Sequence, residues 1–164
     1  LAASQRVVIG DIRQLPHGVD ENLNSIFFDL QDSSLSQIPS YKSVSCLHTL
    51  EHVGLGRYGD KIDPFGSFKA LKLIAKSTSS GGDVYISLPT ASTSKVNFNS
   101  ERLFSPQCIL NMFHESGLTI IKGFIYYPGQ DRQSFSSADE FIDLTSGHIV
   151  YALSVFKLIK TCNG

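Results

Sequence analysis

The sequence alternates short apolar runs with amphipathic segments, and this alternation is the feature that most limits how the chain can fold. Runs rich in β-branched residues predict buried strands, and apolar residues at helical spacing predict helices. Strands that are apolar throughout and separated by helices are typical of an α/β domain with a largely parallel sheet. The predicted strands are RVVIGD (6–11), SIFFD (25–29), SVSCLH (43–48), DVYISLP (83–89), LTIIKGFIYY (118–127) and HIVYALSVFKL (148–158).

The helices between these strands have recognisable start and stop signals. Asp63 is placed to cap one helix, which the SSGG segment at 79–82 is expected to end. Ser105 opens a second helix and Gly117 ends it. A helical turn is expected around 138–142. The last two strands lack a clear full helix between them, so they are expected to form an antiparallel pair at one edge of the sheet.

The composition is that of one ordinary globular domain spanning residues 1–164. Hydrophobic residues make up 41% of the 164-residue chain and charged residues 18%. A net charge of −1 gives no electrostatic reason to expect nucleic acid or an anionic membrane as a partner. No apolar run approaches the roughly 20 residues of a membrane span. Cys46, Cys108 and Cys162 are odd in number and widely spaced, which favours reduced thiols in a cytoplasmic protein.

One stretch, SCLHTLEHVGLGRYGD at 45–60, contains two motifs of different chemistry. His48, Glu51 and His52 spell H-x-x-E-H, which binds zinc only on a helix, where ligands one turn apart share a face. Here the motif comes directly after a predicted strand, and GLG follows two residues after His52, where a zinc-binding helix should continue. We therefore expect these three side chains to lie in a loop between a strand and a helix.

The second motif is a glycine pattern, G-x-G-x-x-G, formed by Gly54, Gly56 and Gly59. A dinucleotide site needs these glycines in the turn that opens a helix, with an acidic residue closing the next strand. Here DKIDP intervenes before the helix, and the next strand ends in SLPT. The glycines more simply permit a tight loop with positive φ angles.

The acidic residues appear instead at the ends of two earlier strands. Asp11 ends the first strand, where it can accept hydrogen bonds from two ribose hydroxyls. Asp29 ends the second, where its carboxylate or the adjacent backbone can contact an adenine amino group. The third strand ends in LHTLEHVG. The order and spacing of these three strand ends carry more weight than any one of them.

On these residues the chain resembles a class I S-adenosylmethionine-dependent methyltransferase domain, and specifically an uncharacterised domain-of-unknown-function family with that fold. The resemblance covers nearly the whole chain and implies a Rossmann-like α/β sheet, mostly parallel with an antiparallel C-terminal edge. The matching segments are VVIGDIRQLP, SVSCLHTLEHVGLGRYGDKIDPFGSFKAL, SSGGDVYISLP, VNFNSERLFSP and YALSVFKL.

The resemblance also implies S-adenosylmethionine as the cofactor and a position for each of its parts. Asp11 and Ile12 would hold the ribose, Asp29 and Leu30 would flank the adenine, and His48 would lie near the sulfonium.

Further residues are candidates for catalysis and for substrate binding. His48, Glu51 and His52 would act as a general base or orient the substrate. A divalent metal on these three is the open alternative, because related enzymes hold one at an E-x-x-E-H loop. By the resemblance Asn99 and Arg102 would contact substrate, although packing and loop hydrogen bonding explain them equally well.

The chain departs from the family pattern in two places. The fold begins with a central strand and a Gly-rich loop that holds the methionine half of the cofactor, and LAASQRVVIGDIR resembles the end of the helix after that loop. We therefore expect an N-terminally truncated domain whose sheet lacks its first strand, between those ending at Asp11 and His48. Glu101 also stands where the family usually has a histidine.

The expected function is methyl transfer to a hydroxyl or amine of a small molecule or glycan, with a sugar hydroxyl as the first candidate. The alternative is a non-catalytic domain that keeps the methyltransferase-like fold as a binding or interaction module. The missing Gly-rich loop favours this alternative, and the retained Asp11, Asp29 and HTLEH segment argue against it.

Overall fold

The structure, a computed structural model, describes residues 5–13, 21–32 and 39–161. Within these ranges no helix is both long and apolar enough to cross a membrane. The elements are β1 (Val7–Asp11), β2 (Leu23–Phe27), β3 (Tyr41–Leu47), α1 (Gly66–Lys76), β4 (Thr78–Thr90), β5 (Lys95–Asn97), β6 (Glu101–Leu103), α2 (Pro106–Glu115), β7 (Leu118–Tyr126), β8 (Gln133–Phe135), α3 (Ala138–Leu144) and β9 (Ala152–Lys160).

The larger sheet has five strands in the order β3-β4-β9-β7-β8. β3 and β4 are parallel, whereas β9 lies antiparallel between β4 and β7. This arrangement confirms the predicted α/β class and the antiparallel pairing of the last two long strands. Antiparallel pairing is more extensive than the alternation of strands and helices predicts, because β9 has two antiparallel neighbours and the short β8 folds back on β7.

β1 and β2 form a separate two-stranded parallel sheet, in which Asp11 is opposite Phe27. Among the described strands none pairs with both this sheet and β3. The carboxyl ends of β1, β2 and β3 nevertheless border one cavity, so the three strands contribute to a common edge.

The core of the larger sheet contains a cluster of phenylalanines from α2, β8, α3 and β9. Phe113 and Phe141 pack edge-on against Phe156, with ring centroids 4.9 and 5.1 Å apart. Phe135 packs on the same ring at 5.5 Å and lies over Gly123 of β7, which has no side chain to obstruct it. This cluster joins the short β8 and α3 to the rest of the domain.

Helix boundaries agree with the sequence signals in α2 and differ in α1. The Ser105 hydroxyl accepts a hydrogen bond from the Cys108 N–H at 3.3 Å, and Gly117 has a φ of 66°, as predicted. The prediction that Asp63 caps α1 is wrong, because Asp63 forms its own turn: its carboxylate accepts from the Phe65 N–H at 2.9 Å, and the helix begins later. SSGG lies inside β4 and does not terminate the helix. The helical turn expected around 138–142 is present as α3.

Candidate functional site

A cavity of about 470 Å³ lies at the carboxyl ends of β1, β2 and β3. Its walls include residues 10–13 after β1, residues 28–31 after β2, and His48 with Thr49 after β3. Parallel strands bring their carboxyl ends to one edge, which is where open α/β sheets bind ligands. All five residues predicted to bind a cofactor line this cavity, namely Asp11, Ile12, Asp29, Leu30 and His48.

The Asp11 carboxylate is held by Arg13, two residues further along the chain. Arg13 donates from its backbone N–H and from Nε to Oδ1, at 2.8 and 2.9 Å, and from Nη2 to Oδ2 at 2.9 Å. These hydrogen bonds lower the pKa of Asp11 to about 2. Asp11 is therefore ionised at neutral pH, and a carboxylate can accept more hydrogen bonds than Arg13 donates.

Asp29 organises the turn after β2. Its Oδ1 accepts from the Gln31 N–H at 2.8 Å, and its carbonyl accepts from the Asp32 N–H at 3.0 Å. The Gln31 side chain then donates from Nε2 to the Lys61 carbonyl at 2.9 Å, which ties this turn to the loop after β3. Two walls of the cavity are thus connected directly.

His48 is in the left-handed backbone region, with a φ of 51° at the point where β3 ends. Its N–H donates to the Ser87 hydroxyl at 2.9 Å, which fixes this turn to β4. Its ring Nδ1 lies 3.1 Å from Glu51 Oε1, and 51% of the side chain is exposed. Left-handed residues other than glycine are uncommon and cluster at binding and catalytic sites. The strained turn directs the chain into the loop that carries Glu51 and His52.

Glu51 is 2% exposed, although it carries a carboxyl group. Among the residues that the structure describes, its Oε2 has no hydrogen-bond partner. His52 lies near the same carboxyl oxygen as His48, with Nε2 3.8 Å from Glu51 Oε1 and Nδ1 2.6 Å from the Ser100 carbonyl oxygen. Two histidines therefore share one buried carboxyl group.

Residues 48–56 form turns and no helix, as expected for the H-x-x-E-H segment. In the described ranges no group of three or more His, Cys, Asp or Glu side chains is placed to hold a metal ion.

The glycine segment after His52 is a loop built around Asp60. The carboxylate of Asp60 accepts from the N–H groups of Gly54, Gly56 and Tyr58 at 2.7, 3.3 and 3.1 Å. Gly54, Gly56 and Gly59 have φ angles of 82°, 73° and 83°, which confirms the predicted tight loop. Partial burial opposes ionisation of Asp60, but these backbone donors outweigh it and lower its pKa.

Arg102 holds the same loop from behind the cavity and does not line it. Its guanidinium donates to the carbonyls of Val53, Gly54 and Asp63 and, at 3.1 Å, to the Ser67 hydroxyl. Only 7% of Arg102 is exposed, and this burial lowers the pKa of the guanidinium. The structure thus gives Arg102 a loop-binding position.

Asn99 is exposed in the turn between β5 and β6 and does not line the cavity. Its neighbour Ser100 contacts His52 through its carbonyl oxygen. Tyr58 and Asp60, which line the cavity, and Ser100 are absent from the sequence-based predictions. The signal for Asp60 is the acidic residue that closes GLGRYGD, because a glycine-rich loop presents several N–H groups to one acceptor.

Solved structures with the same fold include several methyltransferases and a [4+2]-cyclase. An N1-methyltransferase of Burkholderia thailandensis acting on 1,6-didemethyltoxoflavin, with S-adenosylhomocysteine bound, is 13% identical with a TM-score of 0.58, over 96% of this chain and 62% of its own. The O-methyltransferase of a Brevibacillus brevis polyketide synthase, also with S-adenosylhomocysteine, is 14% identical with a TM-score of 0.56. The match covers 84% of this chain and 49% of that structure. The [4+2]-cyclase SpnF is 10% identical with a TM-score of 0.53, and the match covers 87% of this chain and 58% of that structure.

These likenesses show that the chain has the Rossmann-like fold of class I S-adenosylmethionine-dependent methyltransferases. The chain spans less than two thirds of the length of each of the three structures. No curated protein matches the sequence significantly. Residues 8–147 match the family described as Caenorhabditis protein of unknown function, DUF268, so the chain belongs to this family.

Proposed function

We propose that this protein binds S-adenosylmethionine and transfers its methyl group to a hydroxyl or amine of a small molecule or glycan. One observation carries the proposal: side chains from the ends of three different strands, Asp11, Asp29 and His48, line a single cavity. Its volume of about 470 Å³ falls within the usual range for small-molecule and cofactor sites.

The residues in the cavity fit the parts of S-adenosylmethionine. The ionised Asp11 carboxylate is an acceptor for the two ribose hydroxyls. Asp29 and the backbone at Leu30 are suited to the adenine amino group. The cofactor supplies a methyl group already activated by the sulfonium charge. The contribution of the protein is therefore to orient the nucleophile and remove its water.

His48, Glu51 and His52 are the proposed catalytic side chains at the end of β3. Asn99 and Arg102 are less suited to contact the acceptor directly, because neither lines the cavity. The acceptor that we favour is a sugar hydroxyl. A cytoplasmic location is part of the proposal, because Cys46 and Cys108 are free thiols. Burial raises the pKa of Cys46 to about 12, so this thiol is unreactive.

The fold alone does not determine the reaction, since a cyclase shares it. A non-catalytic binding module is the weaker interpretation because of Glu51. The Oε2 of this buried carboxyl group has no hydrogen-bond partner among the described residues, which lowers the stability of the fold. Proteins usually retain such a group where a function requires it.

Isothermal calorimetry with S-adenosylmethionine tests the proposal. We expect binding to the wild type, and at least about tenfold weaker binding to D11N, because hydrogen bonds to a charged acceptor contribute about 1.5–3 kcal/mol. The matched control is D131N, which makes the same change on an exposed loop and should bind as the wild type does. Absence of heat with the folded wild type would overturn the proposal, as would heat with NAD in its place.

A further inference from the structure

His48, Glu51 and His52 differ in what their polar atoms contact, and this difference bears on which of them moves a proton. A proton-transfer role for either histidine rests on the proposed function and deepens it. Both histidines flank the buried Glu51 carboxyl group, at 3.1 Å from His48 Nδ1 and 3.8 Å from His52 Nε2.

His52 is hydrogen-bonded by the protein at Nδ1, and its Nε2 is turned toward Glu51. Its Nδ1 lies 2.6 Å from the Ser100 carbonyl oxygen, which only accepts, so Nδ1 carries a proton. Its Nε2 faces the Glu51 carboxyl group, and its ring packs edge-on against Tyr58 with centroids 6.0 Å apart. His52 is only 23% exposed. This ring is held as part of the loop.

His48 is engaged at one ring nitrogen only. Its Nδ1 lies 3.1 Å from Glu51 Oε1, and an ionised carboxylate only accepts, so beside ionised Glu51 the proton is on Nδ1 and the lone pair of a neutral ring is on Nε2. Over the part of the chain that the structure describes, no protein group pairs with this Nε2. The side chain is 51% exposed and lines the cavity. Both histidines line the cavity, but His48 presents its Nε2 on a half-exposed side chain, whereas the Nε2 of His52 is turned toward Glu51 on a largely buried one.

We propose that His48 Nε2 takes the proton of a hydroxyl acceptor and that Glu51 is the positioning residue that holds the ring in this tautomer. The acceptor O–H bond breaks and its proton moves to His48 Nε2. The freed electron pair forms the new oxygen–carbon bond as the methyl–sulfur bond breaks with its pair on sulfur. The resulting imidazolium lies beside the Glu51 carboxylate and returns its proton to water.

The hydroxyl class follows from the need for a base. An amine acceptor in its neutral form already has a lone pair, whereas an alcohol or phenol must lose a proton as it attacks. A carboxylate that orients a histidine and stabilises its charged form serves this removal of the hydroxyl proton.

The first test is the tautomer of His48, measured by NMR on protein labelled with ¹⁵N-histidine. In the wild type we expect His48 to carry its proton on Nδ1. In E51M the side chain keeps its bulk but cannot accept, so His48 should shift toward the Nε2–H form. His52 is an internal control, because the Ser100 carbonyl should hold its Nδ1 proton in both proteins. An unchanged His48 tautomer in folded E51M would overturn the positioning role of Glu51.

Calorimetry with S-adenosylmethionine separates this inference from the proposed function. E51M should bind the cofactor within about twofold of the wild type. If the wild type itself does not bind, the proposed function fails. If the wild type binds and the His48 tautomer does not depend on Glu51, only the present inference fails.

The second test is transfer of labelled methyl to paired probes, namely alcohols, phenols and sugars against the corresponding amines. We expect label on oxygen, at least about 100-fold slower transfer in H48N, and unchanged transfer in H114Q, which alters an exposed histidine on α2. Asparagine suits the left-handed backbone of residue 48, so H48N should fold. Label on nitrogen, label on neither set, or full activity in H48N would each contradict the inference.

Discussion

Arg13 keeps the Asp11 carboxyl group of the candidate site ionised by lowering its pKa. Arg13 donates to both carboxylate oxygens, and the pair lies at the surface, with the Arg13 side chain 78% exposed. Exposed ion pairs contribute little to stability. The main consequence of this contact is that Asp11 stays ionised wherever the protein is folded at ordinary pH.

This pairing predicts a pH dependence of stability. Because the pKa of Asp11 in the folded protein is about 2, below the usual 3.8, its contribution is present above pH 3.8 and lost as the pH falls toward 2. R13Q removes the charged side-chain donors but keeps the backbone N–H, so it should reduce the pH dependence that comes from Asp11. The free energy of unfolding, measured by urea titration at low salt from pH 6 to 2, should therefore fall less steeply for R13Q than for the wild type below about pH 4. Parallel curves would contradict the assignment.

Arg102 is the second residue whose position carries a prediction. A lysine cannot reproduce the guanidinium fork that reaches four acceptors, so R102K should lower the free energy of unfolding by about 2–4 kcal/mol. The matched control is R57K, at an exposed arginine that contacts Ser100 and the Tyr58 ring, with an expected change below about 1 kcal/mol. Chemical denaturation measures both. If R102K is as stable as the wild type but loses binding of the acceptor, Arg102 contacts substrate and its structural role is minor.

At the scale of elements, the loop from Gly54 to Asp60 is shaped by one carboxylate. Three N–H groups converge on Asp60, and the left-handed glycines make this convergence possible. The loop carries Tyr58 and Asp60 to the wall of the cavity. Its order therefore affects the site directly.

D60A should loosen this loop without unfolding the domain. Hydrogen exchange at the amides of Gly54 and Tyr58 should become faster by about tenfold or more, since each loses a charge-assisted hydrogen bond of about 1.5–3 kcal/mol. Amides of β4, such as that of Ile86, should exchange as in the wild type. D131A is the matched control for loss of an exposed aspartate. Unchanged protection of Gly54 in D60A would show that the loop is held by other contacts.

The contact between β7 and β8 depends on a residue without a side chain. A Cβ at Gly123 would lie 2.3 Å from the Phe135 ring and 2.4 Å from the Val155 carbonyl oxygen. G123A should therefore lower the free energy of unfolding by about 2–3 kcal/mol or more. G147A is the control, because a Cβ there meets nothing within 4 Å. Equal stability of the two variants in thermal and urea unfolding would contradict the packing described for Phe135.

At the scale of the whole molecule, the long apolar strands were predictable because each is a local run of β-branched residues. β5, β6 and β8 were not, since these three-residue strands are largely polar and form only against partners supplied by the tertiary fold. Asp11, which ends β1, was predictable for the same local reason as the long strands, whereas Asp29 was predicted to end β2 and lies two residues beyond its last residue, Phe27.

The rest of the site depends on contacts between distant segments. Ser100 reaches His52 across 48 positions and Arg102 reaches Gly54 across a similar separation, so no local pattern reveals either contact. The different roles that we propose for His48 and His52 likewise rest on ring contacts that no local pattern reveals. The sequence could therefore indicate the stretch that carries the candidate residues, but it could not show which contacts each side chain makes.

We propose that the carboxyl ends of β1, β2 and β3 form one cofactor site. Mapping amide shifts on titration with S-adenosylhomocysteine tests this claim most directly. We predict that the largest shifts fall together at residues 10–13, 28–31 and 48–49, with little change at β7 and β8. Binding that leaves any of these three segments unshifted, shifts concentrated on the β7–β8 side, or no binding at all would contradict the claim.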